Sequence, residues 1–195
     1  TAFANLWAQY YYLSLFTNFT FYLNDSVNGD GIEQTDRRWL TGSDVGYRQI
    51  FRLLNYEGTM TAGLQTRFDQ IQVRLGTQQK RASLAITQES DIFEASYSPY
   101  LKLDLQFLPW MRFVGGGRVD VFTYNVKDRC GADCSERPNG TASNAIASGK
   151  ANLVLGPWYR TEFFLNVGTG FHSNDARDAV ENQSTDRVHR IVQKR

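Results

Sequence analysis

From residue 92 to residue 107, apolar and polar side chains take turns. Phe93, Ala95, Tyr97, Pro99, Leu101, Leu103, Leu105 and Phe107 fall on one side; Glu94, Ser96, Ser98, Tyr100, Lys102, Asp104 and Gln106 fall on the other. A period of two is the geometry of a β-strand with one oily and one wet face. The length is the constraint. Strands of soluble sandwiches usually run about 5–6 residues, whereas a tilted strand that crosses a bilayer needs about 9–11. Pro99 cannot donate to a ladder, so it predicts a bulge or a locally unpaired position.

Six further segments alternate in the same way. In residues 6–23, Leu13, Leu15, Thr17, Phe19, Phe21 and Leu23 share a face. In residues 37–51, Trp39, Thr41, Ser43, Val45 and Tyr47 oppose Arg38, Leu40, Gly42, Asp44, Gly46 and Arg48. In residues 59–75, Met60, Ala62, Leu64, Thr66 and Phe68 oppose Gly63, Gln65, Arg67 and Asp69. After Asp69 the phase flips, and Ile71, Val73 and Leu75 become the apolar set. Such a flip predicts a bulge near Asp69 or a strand leaving the bilayer. Residues 111–125, 146–155 and 158–177 complete the set, the last entered through a turn at Gly156-Pro157. Short connections near Asn55 and at Leu108-Pro109-Trp110 alternate with long polar ones at 24–36, 78–91, 127–145 and 173–186. That asymmetry matches a membrane barrel, with short turns at one end and long loops at the other.

Composition agrees once the alternation is known. Mean hydropathy is −0.43, and no run of 18 apolar residues could form a membrane helix. Barrel strands hide their oil by alternating, so this does not exclude a membrane barrel. Ten Tyr, thirteen Phe and four Trp are enough for aromatic girdles. A net charge of +1 gives no reason to expect nucleic acid. Cys130 and Cys134 stand close together in a Gly- and Asp-rich stretch, which reads as a small loop disulfide in an oxidising compartment. Charge recurs on the polar faces: Arg38, Asp44, Arg48, Arg67, Asp69, Lys102, Asp104, Arg112, Arg118, Asp120 and Glu162. In a barrel these line the lumen, where opposite charges on neighbouring strands can pair.

The run Gly168-Thr169-Gly170-Phe171-His172-Ser173-Asn174-Asp175-Ala176-Arg177 follows Gly156-Pro157-Trp158 and Thr161-Glu162-Phe163. Upstream stand Gly29-Asp30, Glu33-Gln34-Thr35-Asp36-Arg37-Arg38 and Gly63-Leu64-Gln65-Thr66-Arg67-Phe68-Asp69. Together these resemble, in the same order, the barrel region of TonB-dependent outer-membrane receptors, over roughly residues 5–180. The resemblance implies an incomplete antiparallel transmembrane β-barrel of about seven strands over residues 1–180, and a truncated or disordered basic tail over 181–195. Seven strands are too few to close a barrel. It also implies active uptake of a scarce ligand, such as a ferric siderophore or other metal chelate, a vitamin or a sugar. The implied setting is the outer membrane of a Gram-negative bacterium, in contact with its lipid. Coupling to the TonB complex would run through a plug domain that this chain lacks. Thr1 leads directly into Ala2-Phe3-Ala4 with no leader pattern, which reads as a mature or truncated start.

Little else points to chemistry. His172, Ser173 and Asp175 are sequence neighbours and cannot make a catalytic relay, which is assembled in space from separate segments. His172, Asn174, Asp175 and Arg177 are instead expected to contribute to ligand capture at the external mouth, because loops on a rigid scaffold commonly bind. No metal-ligand spacing is present and no cofactor is expected. Gly115-Gly116-Gly117 is not followed by a helical pattern, so close backbone approach or a barrel bend explains it better than a phosphate loop. The rival readings are a passive porin-like channel and a soluble secreted carbohydrate-binding β-sandwich.

Overall fold

A computed structural model describes residues 1–53, 56–131, 139–170 and 179–180. Seven antiparallel strands form one curled sheet, an open half-barrel, in the order β1-β2-β3-β4-β5-β6-β7. They are β1 (Ala2–Thr17), β2 (Ile32–Leu53), β3 (Tyr56–Gln79), β4 (Ala82–Leu108), β5 (Met111–Asp128), β6 (Gly140–Trp158) and β7 (Thr161–Gly168). Every strand pairs only with its neighbours in sequence. β1 and β7 are therefore open edges among the described residues.

Several boundaries differ from the sequence expectation. The first strand ends at Thr17, and Phe19, Phe21 and Leu23 lie in the connection to β2. Residues 78–91 are not a loop: β3 and β4 continue to a tight turn at Lys80 and Arg81, whose φ of 49° and 68° make it a left-handed hairpin turn. The last turn is at Tyr159 and Arg160, φ 49° and 71°, while Gly156-Pro157 sits within β6 where the register slips between Leu155 and Trp158. β7 leaves the ladder at Gly168, before the polar run at Ser173. Pro99 behaves as its chemistry requires. On the β3 side it faces Leu64, but the β4–β5 ladder passes from Tyr97↔Val121 to Tyr100↔Arg118 without pairing Ser98 or Pro99.

The phase flip in β3 involves no bulge at Asp69. Pairing runs evenly through Asp69↔Glu94, Ile71↔Ile92 and Val73↔Ser90, and the slips come later, at Leu75/Gly76 and Thr77/Gln78. Ile71 and Val73 therefore stay on the face of Asp69. There Ile71, Ile92, Tyr124, Val126, Ala142 and Val180 form an apolar cluster near the long-loop end, with Phe122, Val73 and Ala179 against it. On the opposite face the same stretch of β3 presents Gln70, Gln72 and Arg74.

The two faces are otherwise inverted relative to a water-soluble protein. Asp36, Asp69, Ser90, Ser98 and Asp120 are buried on the concave face. The convex face exposes Trp39, Val45, Tyr47, Met60, Leu64, Phe93, Tyr97, Leu101, Val119, Phe163, Leu165 and Val167. No second layer covers these side chains among the described residues. Aromatic rings bound the band at both ends. Tyr10 meets Trp39 at 5.0 Å and Phe68 meets Tyr97 at 5.7 Å toward the long-loop end. At the other end Tyr56 meets Phe107, and Trp110 meets Trp158, both at 5.7 Å. In β1 the faces are reversed from the simplest reading. Leu13 and Leu15 pair with Asp36 and Gln34 on the concave side, while Leu6, Tyr10 and Tyr12 point outward. Trp7 and Phe3 share that concave side because bare glycines receive them: a Cβ on Gly42 would lie 2.4 Å from the Trp7 ring, and one on Gly46 would lie 2.5 Å from Phe3.

Candidate functional site

The concave face is the only broad surface on which charged side chains converge among the described residues. Its geometry follows from period two. Residues two apart on a strand share a face, and an arginine is long enough to fold back onto an aspartate at that spacing. Arg38 reaches Asp36 in this way, with Nε donating to Oδ1 at 2.7 Å. Arg67 holds Asp69 through Nε at 2.9 Å and Nη2 at 2.6 Å. Arg118 holds Asp120 through Nε at 2.6 Å. These three pairs lie within a strand; others join neighbouring strands, as expected. Arg112 of β5 grips Asp104 of β4 with two bonds at 2.8 and 2.7 Å, Arg52 of β2 pairs with Glu57 of β3, and Arg74 of β3 reaches Glu33 of β2 at 3.7 Å. Asp36 lies in β2, not in the loop expected over residues 24–36. Its relation to Arg38 repeats the spacing of Arg67 with Asp69 and of Arg118 with Asp120, and that repeat is the signal that could have placed it.

Hydrogen bonds also cross the sheet. Tyr100 of β4 donates to Asp44 of β2 at 3.0 Å, passing over β3 at Gly63, where a Cβ would lie 2.6 Å from the phenol ring. Gln65 donates to the other Asp44 oxygen at 3.2 Å and accepts from Arg118 at 2.8 Å. Ser98 donates to Asp120 at 2.6 Å. One polar network therefore runs from β2 to β5, and linked polar groups in a shielded place reinforce one another.

The remaining candidate residues are scattered. Arg48 and Lys102 are on the concave face by register and Glu162 by alternation with Phe163, all outside this network. Cys130 is disulfide-bonded; Cys134, like His172, Asn174, Asp175 and Arg177, lies outside the described residues. The connection between β1 and β2 is ordered by its own carboxylates. Asp25 accepts from the backbone of Val27 and Asn28, both at 2.9 Å, and Asp30 accepts from the backbone of Asn24 and Asp25. The backbone bond from Asn28 is the largest of the effects that hold the Asp25 carboxyl below its usual range. The bond from Asn24 does the same for Asp30. Among the described residues no group of three or more His, Cys, Asp and Glu side chains could hold a metal, and no helix is long and apolar enough to cross a membrane.

Such a wall offers hydrogen bonds and charge on one side and oil on the other. Among the described residues no nucleophile is paired with a neighbouring histidine base. No protein-family model matches the chain, and no curated protein is significantly similar to it.

Proposed function

We propose that this chain is part of the barrel wall of an outer-membrane receptor of the TonB-dependent kind, taking up a scarce ligand of the siderophore, vitamin or sugar class. The observation that supports the membrane setting is the inverted polarity of the half-barrel. On β4, with Phe93 four positions beyond Tyr97, the convex-face aromatic rings of Tyr97 and Phe107 stand ten positions apart. At about 3.3 Å per residue and a tilt of about 40°, that is a height of roughly 25 Å, the height of an outer-membrane hydrophobic belt. In water, the same uncovered aromatic face would be an aggregation liability. The receptor identity rests on the ordered resemblance of residues 5–180, and the ligand is captured by the loops at the long-loop end. Energy comes from the TonB complex through a plug domain that is not in these residues.

The test is made on the protein that carries this chain, in its own cells. The reading expects it in the outer-membrane fraction, and expects uptake of a radiolabelled ligand to stop when TonB is removed. Recovery in the soluble fraction would overturn the membrane setting. Uptake that continues without TonB would favour the passive channel.

A further inference from the structure

The concave face is not uniformly charged along its length. Strand register places Arg48, Thr61, Lys102, Gly116, Lys150 and Gly168 in one lateral row, near the short-turn end. This row holds three cations and no carboxylate. The next row toward the loops holds Tyr100, Arg118 and Ser148, and the next toward the turns holds Asp104, Val114 and Asn152. Asp104 is the one acid in the three rows, and both its oxygens are taken by Arg112. Arg118 is occupied by Asp120, Gln65 and Ser98. Lys102 and Lys150 make no hydrogen bond or ion pair among the described residues.

Between those two lysines the wall is bare. A Cβ on Gly116 would lie 2.7 Å from the Leu101 carbonyl oxygen, so no side chain fits there without moving backbone. The result is a depression of about 310 Å³ lined by Lys102, Lys150, Arg118, Tyr100, Ser148 and Thr169, among others. Adjacent strands are about 4.8 Å apart, so the two lysine backbones stand roughly 10 Å apart. Extended lysine side chains span that gap and can meet over Gly116. Like charges brought this close on one face destabilise a sheet; Asp104 lies near enough to feel the charge of Lys102, but both its oxygens are held by Arg112.

We propose that this notch binds a phosphate group, held by Lys102 and Lys150 over Gly116 with Arg48 adding to the attraction. Two lysines match a dianion in charge, and a lysine acts as a point charge toward a tetrahedral phosphate, whereas a planar carboxylate is better matched by an arginine fork. Arg118, the arginine that lines the notch, is already engaged. The buried position of the other carboxylates strengthens the field: Asp36, Asp69 and Asp120 side chains are 10%, 4% and 1% exposed, while their arginines are 37%, 52% and 43% exposed. The face that a solute meets is therefore more positive than its composition. The inference deepens the uptake reading by naming a ligand class, and rests on it only in needing the concave face to be wet.

The test is calorimetric titration of inorganic phosphate, and in a second arm glycerol 3-phosphate, into the detergent-purified protein that carries this chain. Lys102→Gln and Lys150→Gln should each weaken binding about tenfold, close to 1.4 kcal/mol, and the double variant should abolish it. Lys127→Gln, outside the notch, should leave it unchanged, and Lys102→Arg should retain most of it. Tighter binding in the second arm would identify a phosphate ester as the ligand. Absence of phosphate binding by the unaltered protein, or equal binding by the double variant, would overturn the inference. Failure to enter detergent micelles would instead overturn the barrel reading.

Discussion

Replacing Leu101 by arginine separates the two environments that an exposed leucine can have. Leu101 is 50% exposed on the convex face of β4, four positions from Tyr97 and six from Phe107. By the strand rise and tilt used above, it sits about 10 Å below one aromatic row and about 15 Å above the other, close to the middle of the band. If lipid surrounds it, an arginine there costs about 2–4 kcal/mol. At about 1.4 kcal/mol per tenfold, the folding equilibrium shifts by roughly 30- to 900-fold. If water surrounds it, the same substitution falls within about 0.5 kcal/mol, as surface changes usually do. The measurement is urea unfolding of the protein in phospholipid vesicles, read by the fluorescence of its tryptophans, with Lys102→Leu on the concave face as the contrast. A Leu101→Arg midpoint equal to that of the unaltered protein would refute the reasoning.

Further outcomes follow from the same geometry. Arg118→Leu strands the buried Asp120 carboxylate and should cost about 2–3 kcal/mol, below the usual cost for a fully buried pair because Arg118 itself is half exposed; the double variant Arg118→Leu with Asp120→Leu should cost less, by the same unfolding assay. Gly42→Val drives a side chain into Trp7 and should cost about 1–3 kcal/mol, with the tryptophan emission shifted. Asp25 and Asp30 have folded-state pKa values below the ordinary 3.8. Their contribution to loop order is thus complete above about pH 4–5 and falls away as pH drops through the lowered values. Amide exchange of Asn24 to Asp30 should be protected at pH 6 and should lose protection in acid; protection that increases in acid would contradict the sign.

The sheet was legible wherever packing asks only for alternation. β4 and β5 follow the sequence pattern because a single oily face and a single wet face are enough to define a register. What could not be read has identifiable causes. Lys80-Arg81 and Tyr159-Arg160 carry no turn residue, yet adopt left-handed turns because long ladders on both sides close them. Residues 32–36 look like a continuation of the polar loop, but are strand because Glu33 and Asp36 find Arg74 and Arg38. Ile71 inverts the pattern because the concave face is itself apolar near the loops, where Ile92, Tyr124 and Val126 meet it. The cationic row at Gly116 needs register across strands β2 to β7, which no stretch of one strand contains.

The central claim is that oil faces lipid on the convex side and water fills the concave side. Nitroxide labels placed singly at each position from 97 to 107 in vesicles measure this directly, through collisions with oxygen and with a water-soluble nickel chelate. The account predicts oxygen peaks at 97, 101, 103, 105 and 107 and nickel peaks at 100, 102, 104 and 106, in opposite phase. Odd positions shielded from both reagents, or open to nickel like the even ones, would contradict it.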